Sequence, residues 1–90
     1  MNEVFEALAH PVRRDILKML RRRAMSAGDI AEHFPIAKPT LSGHFNVLKA
    51  AGLVTTERQG TTIIYRINMS VMEEALGAFM SLAGMKGKGS

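Results

Sequence analysis

Ser26-Ala27-Gly28-Asp29-Ile30-Ala31-Glu32-His33-Phe34-Pro35, followed by Ile36-Ala37-Lys38-Pro39-Thr40-Leu41-Ser42-Gly43-His44-Phe45-Asn46-Val47-Leu48-Lys49-Ala50-Ala51-Gly52, reads as two short helices joined by a turn. Ser26 precedes the first, and Asp29 three residues on resembles a capping box with Asp in place of Glu, so the exposed first-turn amides find an acceptor. Ala27, Ile30, Ala31 and Phe34 then recur at helical spacing on one side. Pro35 stops that helix, and after a three-residue connection Pro39 opens the next, where a missing amide costs nothing. Leu41, Phe45 and Leu48 form its inward face, and Gly52 takes the position past the end where a left-handed residue usually sits. Two short helices across a tight turn is the helix-turn-helix plan.

Downstream, 53–57 and 62–67 are rich in β-branched residues and are separated by Arg58-Gln59-Gly60-Thr61, which predicts a hairpin with Ile63, Tyr65 and Ile67 pointing inward. Ser70-Val71-Met72-Glu73 is a capping box, and Met72, Ala75, Leu76, Phe79, Met80 and Ala83 trace an apolar stripe along a last helix. Upstream, Val4, Phe5 and Leu8 lie opposite Asn2, Glu3 and Glu6 on a helix too short to be stable alone. His10-Pro11 breaks the chain, with Pro11 starting a second helix that runs to about Arg23. Its buried side is Ile16, Leu17, Met19 and Leu20. Arg13, Arg14, Lys18, Arg21, Arg22 and Arg23, offset only by Asp15, read as a solvated face. The expected order is ααααββα, mostly α with a small β-hairpin. Residues 1–84 are expected to form one domain, and 85–90 a Gly/Lys-rich flexible tail.

Composition excludes much. Ninety residues make one small domain near the lower size for a self-sufficient core. With 47% hydrophobic and 22% charged residues the chain is neither disordered nor fibrous. No apolar run reaches the roughly 18 residues of a membrane span, and Glu3 and Glu6 stand where a signal peptide would be basic. The absence of cysteine removes disulfides, thiolate metal sites and a thiol nucleophile, and fits a reducing compartment, so the cytoplasm is expected. Asp15, Asp29, Glu32, Glu57, Glu73 and Glu74 are dispersed, with no Ser/His/Asp spacing or phosphate-binding glycine loop, so no enzyme is expected. His10, His33 and His44 share no i, i+4 pair, and no metal or other cofactor is expected. Twelve Lys and Arg against eight Asp and Glu give +4 and a pI near 10.0, which favours a polyanionic partner.

A helix-turn-helix followed directly by a hairpin is a winged helix, with helix 39–51 shaped for a major groove and hairpin 54–67 as the wing. At about 100° per residue the face opposite Leu41, Phe45 and Leu48 holds Pro39, Gly43, Asn46 and Ala50, flanked by Thr40 and Ser42. Small side chains let a helix approach base edges, and Asn can bond adenine with both amide atoms. Lys38, Lys49, Arg58 and Arg66 surround this face and can neutralise phosphates. The candidate DNA contacts are Lys38, Thr40, Ser42, Gly43, His44, Asn46, Lys49, Arg58, Gln59, Thr61 and Arg66. Three of them have two readings each. Asn46 is a base reader or plain surface, His44 a DNA contact or a packed histidine at the edge of the core, and Gly43 room for the duplex or drift. The stripes at Val4, Phe5, Leu8, Met72, Leu76, Phe79 and Met80 predict a homodimer through the first and last helices, which sets two recognition helices about one DNA turn apart on a pseudo-palindromic site. The alternative is a winged-helix protein-interaction module without base readout.

Lys38-Pro39-Thr40-Leu41-Ser42-Gly43-His44-Phe45, then Leu48 and Ala51-Gly52-Leu53-Val54, resembles the ArsR family of winged-helix repressors. Leu8-Ala9-His10-Pro11-Val12-Arg13-Arg14-Asp15-Ile16-Leu17 is similar to that family's entry to its second helix, and Arg58-Gln59-Gly60 with Tyr65 to its wing. Together these cover residues 3–67, and the segment 26–34 with the Lys-Pro opening looks closest to the SdpR-like autorepressor group. The resemblance implies a homodimeric transcriptional repressor of double-stranded DNA, possession of recognition-helix signature residues at Ser42 and His44, and wing residues at Arg58 and Gly60. Departures are Ala37 where the family often has a capping Ser, Phe45 where it has Leu, and Gly43 where Gly is rare. The third-helix cysteines of its metal sensors are missing, and 71–83 contains no His.

Overall fold

His10 and Pro11 make the first corner. In the computed structural model, which describes residues 1–85, the Val12 N–H donates to His10 Nδ1 (3.2 Å), so a histidine caps the helix that Pro11 opens. The elements in chain order are α1 (Asn2–Leu8), α2 (Pro11–Arg22), β1 (Met25–Ser26), α3 (Ala27–Ala31), α4 (Lys38–Ala50), β2 (Val54–Gln59), β3 (Thr62–Ile67) and α5 (Met69–Leu82). The expected winged helix is present, with one strand more. Met25 and Ser26 pair antiparallel with Tyr65 and Ile64, giving a three-stranded sheet ordered β1-β3-β2. Two residues carry no periodicity, which is why β1 is silent in the sequence.

Several boundaries move for local reasons. Ser26 caps α3 as expected, its Oγ accepting from the Asp29 N–H at 3.0 Å, but α3 ends at Ala31. His33 and Phe34 N–H bond three residues back, to Ile30 and Ala31, so the helix tightens into a final turn before Pro35 and the connection runs from 32 to 37. At Ala37 no side chain caps α4, and Pro39 is its second residue. The end of α4 is a Schellman motif. Gly52, at φ +75°, donates to Lys49 O, and Leu53 donates to Leu48 O. β2 and β3 extend to Gln59 and Thr62, leaving a two-residue loop in which only Gly60 has positive φ (+64°), the type II′ arrangement. The expected capping box at Ser70 is replaced by Asn68, whose Oδ1 accepts from Val71 N–H at 3.5 Å. Asn68 is fixed there because its own N–H donates to Leu53 O at 2.8 Å, so α5 starts before Ser70 is reached.

The core runs through Ile16, Leu17 and Leu20 of α2, Ile30 of α3, Leu41, Phe45 and Leu48 of α4, Leu53, Val54, Tyr65 and Ala75. Phe45 and Tyr65 stack with centroids 4.7 Å apart and 28° between planes, clamping α4 to the sheet. The seven-residue α1 is held by arginines of α2. Arg13 Nε donates to Ala7 O (2.8 Å), Arg13 Nη2 to Glu6 O (3.0 Å) and Arg14 Nη1 to Leu8 O (2.8 Å). These carbonyls lie in the last turn of α1, where the helix leaves its acceptors open; Glu6 O also receives the Ala9 N–H at 3.1 Å. The expected solvated face of α2 is therefore a structural device at Arg13 and Arg14. The residues 86–90 of the expected tail lie outside those described, and no helix among the described residues is long and apolar enough to cross a membrane.

Candidate nucleic-acid interface

On α4 the inner side carries Leu41, His44, Phe45 and Leu48, all buried. The outer side carries Lys38, Thr40, Ser42, Gly43, Asn46 and Lys49, all exposed. The face is small, amide-bearing and cationic, with no acidic residue between Lys38 and Ala50. At Gly43 an added Cβ would meet nothing within 4 Å, so packing inside the protomer gives no reason for glycine there.

His44 is placed apart from the other candidates. It is 9% exposed, its Nδ1 lies 3.1 Å from Arg13 Nη1, and its ring centroid is 4.4 Å from that of His10. Of its two readings the packed one describes the structure. Arginine only donates, so Nδ1 accepts and the ring proton is assigned to Nε2. Burial, then His10, then Arg13 hold His44 below the ordinary imidazole value, which keeps it neutral.

The wing brings Arg58, Gln59 and Thr61 to an exposed tip and Arg66 to its stem. Pairing sets their directions. Arg58 lies opposite Ile63, on the face that carries Tyr65 and Val54, whereas Arg66 lies opposite Thr55 on the other face. Arg66 also forms an ion pair with Glu57 at 3.4 Å, both side chains more than half exposed. Such a pair contributes about 0–1 kcal/mol to stability, but it shares the arginine's charge. Arg58 makes no ion pair among the described residues. The sequence groups these two arginines; the sheet register separates them.

A second exposed surface is apolar. Leu76, Phe79 and Leu82 of α5 are 59%, 62% and 79% exposed. With Phe5, Leu8, Ala9, Met72 and Ala75, the first two line an apolar groove of about 350 Å³ between α1 and α5. Met80 is half-buried. Val4, expected on this surface, is instead in the protomer core at 6% exposure, because α1 turns Val4 and Ala7 inward. Among the described residues no three His, Cys, Asp or Glu gather in a group that could hold a metal ion.

Comparison with known proteins matches residues 8–57 to a helix-turn-helix domain family. The chain is 46% identical over 76 residues to the transcriptional repressor SdpR of Bacillus subtilis, covering 84% of each protein. It is 38% identical over 65 residues to the transcriptional repressor SmtB of Mycobacterium tuberculosis, covering 72% of this chain and 48% of that one, so it spans about half of that relative. The fold superposes on an ArsR-like transcriptional regulator from Rhodococcus with a TM-score of 0.80 at 29% identity, covering 92% of this chain and 78% of the other. The winged helix, the outward chemistry of α4 and the shared sequence together place this chain in the ArsR family of winged-helix transcriptional repressors.

Proposed function

We propose that this family member represses transcription in the cytoplasm as a homodimer, reading a pseudo-palindromic operator with α4 in successive major grooves. In this reading Thr40, Ser42 and Asn46 face base edges, Gly43 gives the duplex room, and Lys38 and Lys49 neutralise phosphates. Arg58, Gln59, Thr61 and Arg66 carry the wing along the backbone. Phe5, Leu8, Met72, Leu76, Phe79 and Met80 pair with a second copy, which removes the exposed α5 stripe from water. The observation that carries the reading is the outer face of α4, where every exposed side chain from Lys38 to Lys49 is small, an amide or a cation. A polyanion with hydrogen-bonding edges suits that face; an apolar protein partner does not.

The test is fluorescence anisotropy at about physiological salt, with the DNA upstream of the protein's own gene and a shuffled duplex of equal length. A preference of about 10³-fold or more, with a steep fall in affinity as salt rises, supports the reading. If the two duplexes bind equally, a random-library selection is the second arm. Failure of that selection to enrich any sequence refutes operator reading.

A further inference from the structure

We infer that Arg13 and His44 are positioning residues for DNA binding: their hydrogen bond holds α4 in register with α1, and mild acid opens it and weakens operator binding. The DNA consequence rests on the function proposed above; the link itself does not.

Arg13 spends all three of its nitrogens on two neighbours. Nε and Nη2 hold the Ala7 and Glu6 carbonyls of α1 (2.8 and 3.0 Å), and Nη1 meets His44 Nδ1 of α4 (3.1 Å). One guanidinium in the first turn of α2 thus joins the C-terminal end of α1 to the middle of α4. The bond to His44 needs a bare Nδ1. A proton there removes the acceptor and sets a cation against a cation. His10 adds a second imidazole at 4.4 Å, with its own Nδ1 taken by Val12 N–H.

Among the described residues no ion pair offsets that charge. From α1, the Glu3 and Glu6 side chains are exposed, and Glu6 enters the cluster through its carbonyl. From α2, Asp15 is exposed, and Arg14 is turned to Leu8 O. From β2, Glu57 is paired with Arg66, and Arg58 is exposed. Among the described residues no carboxylate pairs with His44. Burial, His10 and Arg13 all lower its proton affinity. The unfolded chain therefore binds the proton more readily. Stability is full above the ordinary imidazole value of 6.5, is lost as pH falls through it, and levels off below the folded value. Ser42, Gly43 and Asn46 flank His44 on the same helix, so a shift of α4 at this point moves the residues proposed to face bases.

The experiment uses the full chain, its His44→Gln variant, and a duplex recovered by random-library selection with a shuffled control. Gln keeps an acceptor for Arg13 and does not titrate. Between about pH 7.5 and pH 5 the wild type should lose roughly 3- to 10-fold in its preference for the selected over the shuffled duplex, the size of one hydrogen bond, and its Tm should fall. His44→Gln should lose less than half as much on both readouts. Equal losses in the two proteins, or a wild-type preference that stays constant, overturn the proposal. If selection yields no duplex the operator reading fails, and the link is still decided by ring ¹⁵N shifts and Tm against pH. Protonation of His44 Nδ1 below the ordinary value, in step with a falling Tm, supports it; a ring protonated at Nδ1 already at neutral pH overturns it. The same wild-type titration decides the matter if His44→Gln does not fold.

Discussion

Two helices of this molecule leave a face uncovered, and the faces have opposite chemistry. The outer side of α4 presents hydroxyls, an amide, a bare glycine and lysines; the outer side of α5 presents Leu76, Phe79 and Leu82. Water solvates the first well and the second poorly, so the two surfaces call for different partners. The exposed Leu76, Phe79 and Leu82 side by side are the reason for proposing that a second copy covers this face. The polar face of α4 needs no cover, and suits a partner that is itself hydrated and negatively charged.

The contrast can be broken at its apolar end first. Phe79→Glu should cost about 2–4 kcal/mol of dimerisation, giving a monomer by sedimentation and lowering operator affinity with it. A dimer that persists would move the interface away from α5. Asn46→Ala should cost about 1–3 kcal/mol on the selected duplex and little on a shuffled one, with sedimentation unchanged. Equal losses on both would make Asn46 plain surface. Gly43→Ala sharpens the distinction between fold and function. With open space at the Cβ, it should raise stability by about 1 kcal/mol in urea unfolding, while anisotropy shows weaker operator binding. The smallest effect belongs to the wing. Arg58→Ala should reduce the slope of log K against log salt by about 1, and Arg66→Ala by less, because Glu57 already shares its charge.

The helix-turn-helix was legible because each of its signals is local. Ser26 acts through its hydroxyl on an amide three residues on, Pro39 and Gly52 through their own backbone, and Leu41, Phe45 and Leu48 need only the helical period. Features that depend on pairing were not legible. A two-residue loop at Gly60 and Thr61, in place of the four-residue turn the sequence suggests, sets the β2–β3 register and sends Arg58 and Arg66 to opposite faces. β1 exists only as the partner of β3. Asn68 outcompetes Ser70 as a cap because Leu53, distant in sequence, holds it in place. Arg13 and Arg14 sit in a charge run that composition alone reads as solvated, and their targets are carbonyls, which no side-chain pattern reveals. Val4 differs from Phe5 by one helical step of about 100°, enough to turn it from the groove into the core.

Leu53 deserves its place at the centre of the molecule for its backbone more than for its side chain. Its N–H closes the end of α4 at Leu48, and its carbonyl receives Asn68 at the start of α5. α4 and α5 are thus tied to one buried peptide segment by main-chain bonds, which side-chain replacement at 53 does not delete. In a two-fold assembly the distance from the symmetry axis to the groove is then a backbone dimension, a ruler with one end at each of those helices. If α4 reads DNA as proposed, substitutions on its outer face can change the sequence read while the spacing between half-sites stays as the chain trace dictates.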